Sequence, residues 1–160
     1  MTIERRCAVG QQIITNLWGD SLPVTIAVGS RRWRTRPHWV RMATILEELA
    51  LWLPNSRGPC PVWSGGAAGA DRLAACWARL AGAPSVTWPV IWAVGGRAAG
   101  IRRTAEMVAA APSGSIMLVF VPGASTSATS VRKSLDRSTG SAHAARIALR
   151  RGLPVSVFTE

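Results

Sequence analysis

The chain has 160 residues, 48% of them hydrophobic, which suits one domain built around a substantial core. Its 19 lysines and arginines outnumber its 8 acidic residues, and the formal net charge of +11 indicates an anionic partner, either a nucleotide or a nucleic acid. The sequence has no apolar run long enough for a membrane span and no apolar region typical of a secretory signal, so we expect a cytoplasmic protein. Its 3 cysteines lack metal-ligand spacing, which argues against a zinc protein.

The N-terminal part of the chain begins with a segment that has no secondary-structure period. Residues 1–22 are expected to be an N-terminal extension, either an edge strand or an oligomer contact, before a single domain over 23–160. Val24–Val28 has the composition of a buried strand. The basic loop Arg31–Arg36 follows it, and this loop either is solvated or contacts phosphate while Trp33 stacks on a base.

A helix is predicted to begin at Pro37 and to end before Pro54, because proline suits a first helical turn and breaks a helix interior. Its apolar positions repeat with a helical period and should face the core: Met42, Ile45, Leu46, Leu49 and Leu53. Residues 54–59 then form a loop that leads to the next strand.

A strand, a glycine-rich turn and a helix are predicted over residues 60–80. Gly65, Gly66 and Gly69 allow a tight turn that presents N–H donors at the start of the helix. Asp71 lies in the first helical turn, where a carboxylate suits the free N–H groups and the helix dipole. One apolar stripe should face the core: Leu73, Cys76, Trp77 and Leu80. The turn is either an anion site or only a tight connection.

The C-terminal part of the chain continues the alternation of strand and helix. Strands are predicted at Ser85–Val90, Ser115–Val121 and Pro154–Phe158. One helix should run to about Ala111 with Ile101, Ala105 and Val108 facing inward, and another should span Ser141–Arg151. Between them, residues 122–139 form a long loop rich in Ser, Thr and Gly, which is either mobile or functional.

Strands that alternate with helices predict a single Rossmann-like α/β domain, with about five strands in a mainly parallel sheet of order 3-2-1-4-5 and helices on both faces. In such a sheet ligands bind beyond the carboxyl ends of the strands. The loops at those ends hold most of the glycines and many of the arginines, which indicates a phosphate-bearing ligand. Trp63 and Trp77 are expected in the core, whereas Trp33, Trp88 and Trp92 either pack or stack on a base.

Three motifs in the expected order carry a resemblance to a known family. They are Val28–Arg31, Ser64–Asp71, and Gly96–Gly100 followed by Arg103 and Met107. Over Val24–Phe158 the chain resembles the YspA-like branch of the SLOG superfamily, a Rossmann-like group that includes the LOG phosphoribohydrolases and the DNA-processing protein DprA.

The resemblance implies a pocket for a nucleotide or a nucleotide derivative at the carboxyl edge of the sheet, with no further cofactor and no metal. A fourth motif, a glycine-threonine turn that opens the last helix, has its closest match at Ser138–Ser141. The ligand-binding residues that the resemblance implies are Gly29, Ser30, Arg31, Ser64, Gly65, Gly66, Gly69, Asp71, Arg97, Gly100, Arg103, Thr139, Gly140 and Ser141.

Two departures from the LOG enzymes argue against catalysis. Ala144 stands where those enzymes have a catalytic glutamate, and Thr104 stands where they have the second of two basic residues. Glycoside cleavage generally depends on a placed carboxylate. The remaining acidic candidates have ordinary structural explanations, as a helix cap, a solvated helix residue or a loop charge: Asp71, Glu106 and Asp136. His143 is interpreted as structural.

The sequence therefore predicts a homo-oligomeric protein without catalytic residues that senses or sequesters a nucleotide-derived small molecule. Sequestration suits a small stand-alone domain and would fit a phage origin. Two alternatives stay open. The first is a DprA-like protein that binds single-stranded DNA, supported by the net charge and the arginine-tryptophan loop; the second is a LOG-like phosphoribohydrolase.

Overall fold

The computed structural model describes residues 22–52, 60–90, 96–123, 127, 129, 132–133 and 139–159. Strands and helices alternate along them, and a 3-10 turn at Gly96–Ala98 precedes the third helix. The elements are β1 (Thr25–Gly29), α1 (Arg36–Trp52), β2 (Val62–Ser64), α2 (Ala70–Leu80), β3 (Ser85–Thr87), α3 (Ala99–Ala110), β4 (Ile116–Val121), α4 (Thr139–Arg150) and β5 (Val155–Thr159).

The five strands form one parallel sheet in the order β3-β2-β1-β4-β5, which confirms the predicted order and the Rossmann-like α/β class. The central strands β1 and β4 are almost entirely buried, as expected for a parallel sheet that is covered on both faces. Ile26 of β1 pairs with Trp63 of β2 on one side and with Met117 of β4 on the other. Along each strand, successive side chains point to opposite faces of the sheet.

Helices cover both faces of the sheet, as predicted. On one face, α3 and α4 pack on the sheet through Met107, Val108 and three alanines of α4, beside Ile26, Trp63 and other strand residues. On the other face, α1 and α2 pack through Met42, Leu46, Trp77 and small residues of α2, against Ala27, Leu118 and Phe120. Each face therefore has its own apolar core, and the sheet separates the two.

The stripe predicted for α1 is confirmed where the structure describes it. The stripe predicted for α2 is confirmed at Trp77, which is buried, and at Leu73, which packs partly buried on the core, but it is wrong at Leu80. Leu80 is 71% exposed, and the buried apolar positions of α2 are Trp77 and three alanines. Alanines allow α2 to lie close to the sheet, so the small side chains of this helix face inward. The prediction failed at Leu80 and overlooked the alanines because it gave weight to large apolar residues alone.

The predicted inward face of α3 needs the same kind of correction. Ile101 is 48% exposed, whereas Thr104, Met107 and Val108 are buried. The Thr104 hydroxyl donates to the Gly100 carbonyl at 3.0 Å, so this polar side chain is satisfied within its own helix and can face the sheet.

Several predictions fall on residues outside the described ranges: the extension 1–22 except for its last residue, most of the loop 122–139, Leu53, Trp92 and Asp136. None of the helices in the described part of the chain is long and apolar enough to cross a membrane.

Candidate functional site

The carboxyl ends of β1, β2 and β3 lie side by side, and the glycine-rich turn after β2 occupies the middle of this edge. Gly66 and Gly69 have φ values of +71° and +92°, a region that side chains other than glycine rarely adopt. A Cβ atom at Gly69 would collide with the Ser30 carbonyl oxygen and the Arg31 backbone, so the turn after β2 rests directly on the loop after β1.

The Asp71 carboxylate holds these two loops together from within. Its Oδ1 accepts the Gly29 N–H at 3.2 Å, and its Oδ2 accepts the N–H groups of Gly65 at 3.0 Å and Ala67 at 3.4 Å. The side chain is only 3% exposed. Asp71 is therefore neither a helix cap nor placed to contact a ligand; it is an internal anion that occupies three N–H donors of the edge.

Two opposing influences act on the pKa of Asp71. Burial raises it, because a charged carboxylate loses its hydration, whereas the three N–H donors and the nearby Arg103 guanidinium act to lower it. Burial is the larger influence, so the pKa lies above its ordinary value. The cost of removing the charged carboxylate from water is thus only partly offset by its hydrogen bonds and by Arg103.

Arg103 reaches the same place from the opposite face of the sheet. Its guanidinium lies against Gly65, where any Cβ atom would collide with it, and its Nη1 donates to the Trp88 carbonyl at 3.2 Å. Burial lowers the pKa of Arg103 and the Asp71 carboxylate acts to raise it; a guanidinium nevertheless stays protonated in proteins. A side chain at Gly65 would therefore have to displace the Arg103 guanidinium, which packs on the Gly65 backbone.

Four buried polar atoms at this edge have no hydrogen-bond partner: Trp63 Nε1, Ser64 Oγ, Trp88 Nε1 and Arg103 Nε. An unsatisfied buried donor typically costs about 1–3 kcal/mol. No other side chain in the described ranges has such an atom. Trp63 and Trp88 belong to the core on the face that α3 covers and Arg103 extends from α3, whereas Ser64, the next residue after Trp63 in β2, faces the other side of the sheet.

The turn itself retains donors for an anion. The hydrogen bonds of the described residues leave the N–H groups of Gly66, Ala68 and Gly69 without a protein acceptor. Gly66 is exposed, and α2 begins directly after Gly69 with no side-chain cap. Free N–H groups at a helix start favour an anion, and the exposed Arg31 lies beside Gly69.

The structure brings together seven of the predicted ligand-binding residues around this turn: Gly29, Ser30, Arg31, Ser64, Gly65, Gly66 and Gly69, joined by Asp71 and Arg103 in the roles described above. Ser30 is engaged structurally, since its carbonyl accepts the N–H groups of Trp33 at 3.3 Å and Ala70 at 3.2 Å. Trp88, which the sequence left open between packing and base stacking, is buried one residue after β3, and it was not among the ligand-binding residues that the resemblance implies.

The other predicted residues lie in the third and fourth motifs. Gly100 is in the first turn of α3, and Arg97 lies in the 3-10 turn before it. Thr139, Gly140 and Ser141 form the first turn of α4, where Gly140 is exposed and Ser141 is buried.

Trp33 cannot stack on a base, which corrects one interpretation of the arginine loop. Its side chain is fully buried, its Nε1 donates to the Val121 carbonyl at 3.0 Å, and its ring packs edge-on against Phe120 at 4.8 Å between centroids. Trp88 is also buried, so it packs rather than stacks on a base. Trp63 and Trp77 lie in the core, as predicted. The described loop therefore presents exposed arginines without an aromatic platform.

The exposed arginines continue from the loop onto the start of α1: Arg31, Arg32, Arg34, Arg36 and Arg41. Beside them is an open concavity of about 590 Å³ lined by Arg36, Pro37, His38, Val40 and Arg41. The first turn of α1 contains no acidic residue, although the positive end of a helix dipole favours one. Because Arg31 lies beside Gly69, this basic surface begins at the glycine turn and continues onto α1, where it is suited to non-specific anion contact.

Comparison with known proteins adds no family assignment: no family model matches the sequence, and neither a curated protein nor a solved structure matches it significantly.

Proposed function

We propose that the protein binds a nucleotide or a nucleotide-derived small molecule at the carboxyl edge of its sheet, as a sensor or a sequestering protein. The observation that carries the proposal is the turn at Gly66–Gly69, which precedes α2 next to two arginines, Arg31 and Arg103, and in which the N–H groups of Gly66, Ala68 and Gly69 have no acceptor among the described residues. Such a turn suits phosphate, and the resemblance to the YspA-like branch of the SLOG superfamily supports a nucleotide as its carrier.

Binding without turnover is the second part of the proposal. Ala144 is 2% exposed and belongs to the core between α4 and the sheet, so the position at which LOG enzymes have a glutamate is a packing position here. Glu106 is exposed on α3, and the buried Asp71 carboxylate already accepts three backbone N–H groups. We therefore expect no base release when the protein is incubated with AMP and the mixture is separated by chromatography.

Native mass spectrometry of freshly purified protein tests the proposal first, because a sequestering protein should retain its ligand. A mass increment that disappears on denaturation, and that corresponds to a nucleotide or nucleotide derivative, is the expected result. Protein that carries no such ligand, and that gives no heat with a panel of nucleotides in calorimetry, would overturn the proposal.

A matched pair of glycine variants then locates the site. Gly66 and Gly82 have similar φ values, +71° and +68°, but only Gly66 lies at the sheet edge, and a Cβ atom at Gly82 would meet nothing within 4 Å. We expect Gly66→Val to abolish nucleotide binding in calorimetry and Gly82→Val to preserve it. Equal affinities of the two variants would place the ligand elsewhere.

Single-stranded DNA is a second candidate partner, favoured by the five exposed arginines at residues 31–41. With Trp33 buried, this surface offers charge but no base stacking. We expect weak binding that fades near physiological salt, as measured by fluorescence anisotropy of a labelled oligonucleotide. A tight complex that persists at physiological salt and is lost in an Arg34→Ala, Arg36→Ala double variant would move DNA to first place.

A further inference from the structure

The buried donors around Gly65 point to a more specific arrangement than the glycine turn alone. Trp63 and Trp88 are at most 5% exposed, and the N–H group of each indole lacks an acceptor. Their rings lie 5.3 Å apart between centroids. The Arg103 Nε is buried and lacks an acceptor as well. We name Trp63, Trp88 and Arg103 the donor cluster.

Direct contacts join the members of the donor cluster. Arg103 donates through Nη1 to the Trp88 carbonyl at 3.2 Å, and the Trp88 N–H donates to the Ser64 carbonyl at 2.9 Å. Trp63 precedes Ser64 in β2. Trp63 and Trp88 pack with Met107 on the face that α3 covers, and Arg103 extends from α3 itself. The cluster is therefore one continuous structure at the ends of β2 and β3.

The chemistry of the donor cluster defines what is missing. Indole N–H and guanidinium N–H groups donate and cannot accept, so these atoms cannot satisfy one another. The nearest carboxylate, that of Asp71, already accepts three backbone N–H groups. The missing partner must bring acceptor oxygens, and the positive charge of Arg103 favours an oxyanion over a neutral acceptor.

We propose that the donor cluster binds an oxyanion, the phosphate of the nucleotide, on the α3 side of Gly65. The free N–H groups of the Gly66–Gly69 turn then border the same phosphate or contact the adjoining part of the ligand. This inference rests on the proposed function for the identity of the carrier, but the phosphate subsite can be tested without any nucleotide.

The test titrates inorganic phosphate into the whole protein and records the melting temperature, with sodium chloride at equal ionic strength as the control for screening. Phosphate is expected to raise the melting temperature beyond the chloride control, because it satisfies donors only in the folded state. The apparent Kd for phosphate then follows from intrinsic tryptophan fluorescence.

Two tryptophan variants make the test specific. Trp88→Phe removes one indole N–H and retains an aromatic ring, so phosphate affinity should fall by about tenfold, the loss expected for one hydrogen bond to a charged group. Trp77→Phe is the matched control, because Trp77 is equally buried but packs in the core on the opposite face of the sheet. Its affinity for phosphate should stay within about twofold of wild type. If Trp88→Phe does not fold, Trp63→Phe removes the neighbouring donor and gives the same comparison.

The outcomes separate this inference from the proposed function. If phosphate acts no differently from chloride, or if both tryptophan variants bind it equally, the subsite assignment is wrong. If nucleotide still binds in that case, the proposed function stands without the subsite. If phosphate binds through Trp88 while no nucleotide binds, the subsite is correct and the proposed carrier is wrong.

Discussion

Asp71 shows how one side chain can organise a loop that is rich in free donors. It accepts N–H groups from Gly29, Gly65 and Ala67, so residues that follow two different strands share one carboxylate. Charge-assisted hydrogen bonds of this kind are stronger than neutral ones. These hydrogen bonds therefore join the loop after β1 to the glycine turn after β2.

The ionisation of Asp71 predicts a pH dependence of stability. Burial raises the pKa of this carboxyl in the folded protein above its ordinary value of about 3.9. Its contribution to stability is therefore fully present below the unfolded pKa and is lost as the pH rises through the folded pKa. We expect wild type to exceed Asp71→Asn in unfolding free energy by more near about pH 4 than near about pH 7, as measured by urea unfolding. An advantage that grows with pH would mean that Arg103 and the N–H donors outweigh burial.

Arg103 provides a second test at the scale of single residues. Arg103→Ala should lower the unfolding free energy by about 1–3 kcal/mol, because the Trp88 carbonyl loses its donor and Asp71 loses a neighbouring cation. Arg102 is exposed on the same helix, so the control variant Arg102→Ala should change the unfolding free energy by no more than about 0.5 kcal/mol. Equal effects in chemical denaturation would show that the Arg103 guanidinium has no structural role.

Among the helices, α1 begins with an unusual version of the capping box. His38 takes the place that Glu or Gln normally occupies, and its Nδ1 accepts the N–H groups of Arg34 at 3.2 Å and Thr35 at 3.3 Å. The Thr35 hydroxyl lies 2.9 Å from the same nitrogen. The imidazole also stacks on Trp33, so this cap connects the arginine loop to the core.

Replacement of His38 tests this cap. His38→Ala removes the acceptor and should lower the unfolding free energy by about 1 kcal/mol, a typical value for a lost cap. His38→Gln supplies a side-chain oxygen at the same position and should recover part of that loss. Thermal and urea unfolding of the two variants give the comparison; a glutamine variant no more stable than the alanine variant would contradict the capping role.

At the scale of the whole molecule, the sheet separates two apolar cores, and its central strands β1 and β4 contribute to both. These strands have hydrogen-bonded neighbours on each side, whereas β3 lies at one edge and exposes Ser85 and Thr87. Local opening should therefore begin at β3 and reach the centre of the sheet only with global unfolding.

Native-state hydrogen exchange tests this order of stability. Amides of Ile26, Val28 and Leu118 should exchange slowest, at rates set by global unfolding, and that of Val86 in β3 should exchange at least about tenfold faster. The candidate site lies between these regions, since Trp88 follows β3 and Gly29 ends β1. Protection of Val86 that equals the protection of β1 would mean that the edge strand unfolds with the core.

The sequence by itself determined the order of elements, the parallel sheet and the position of the glycine turn. Strands that are buried on both faces, such as Ile116–Val121, are continuous apolar runs, and the alternation with helices then restricts the topology. The turn was predictable because positive φ values at Gly66 and Gly69 require glycine or a near substitute. These properties are encoded within short stretches of chain.

Only the tertiary structure decided which helix faces are buried and what the charged residues at the sheet edge contact. The inward alanines of α2 follow from how closely that helix approaches the sheet, which a pattern of large apolar residues cannot indicate. Asp71 accepts from Gly29, 42 residues away, and Arg103 packs on Gly65 from the opposite face. Such contacts join segments that are distant in the chain, so they depend on the packing of both layers of helices on the sheet.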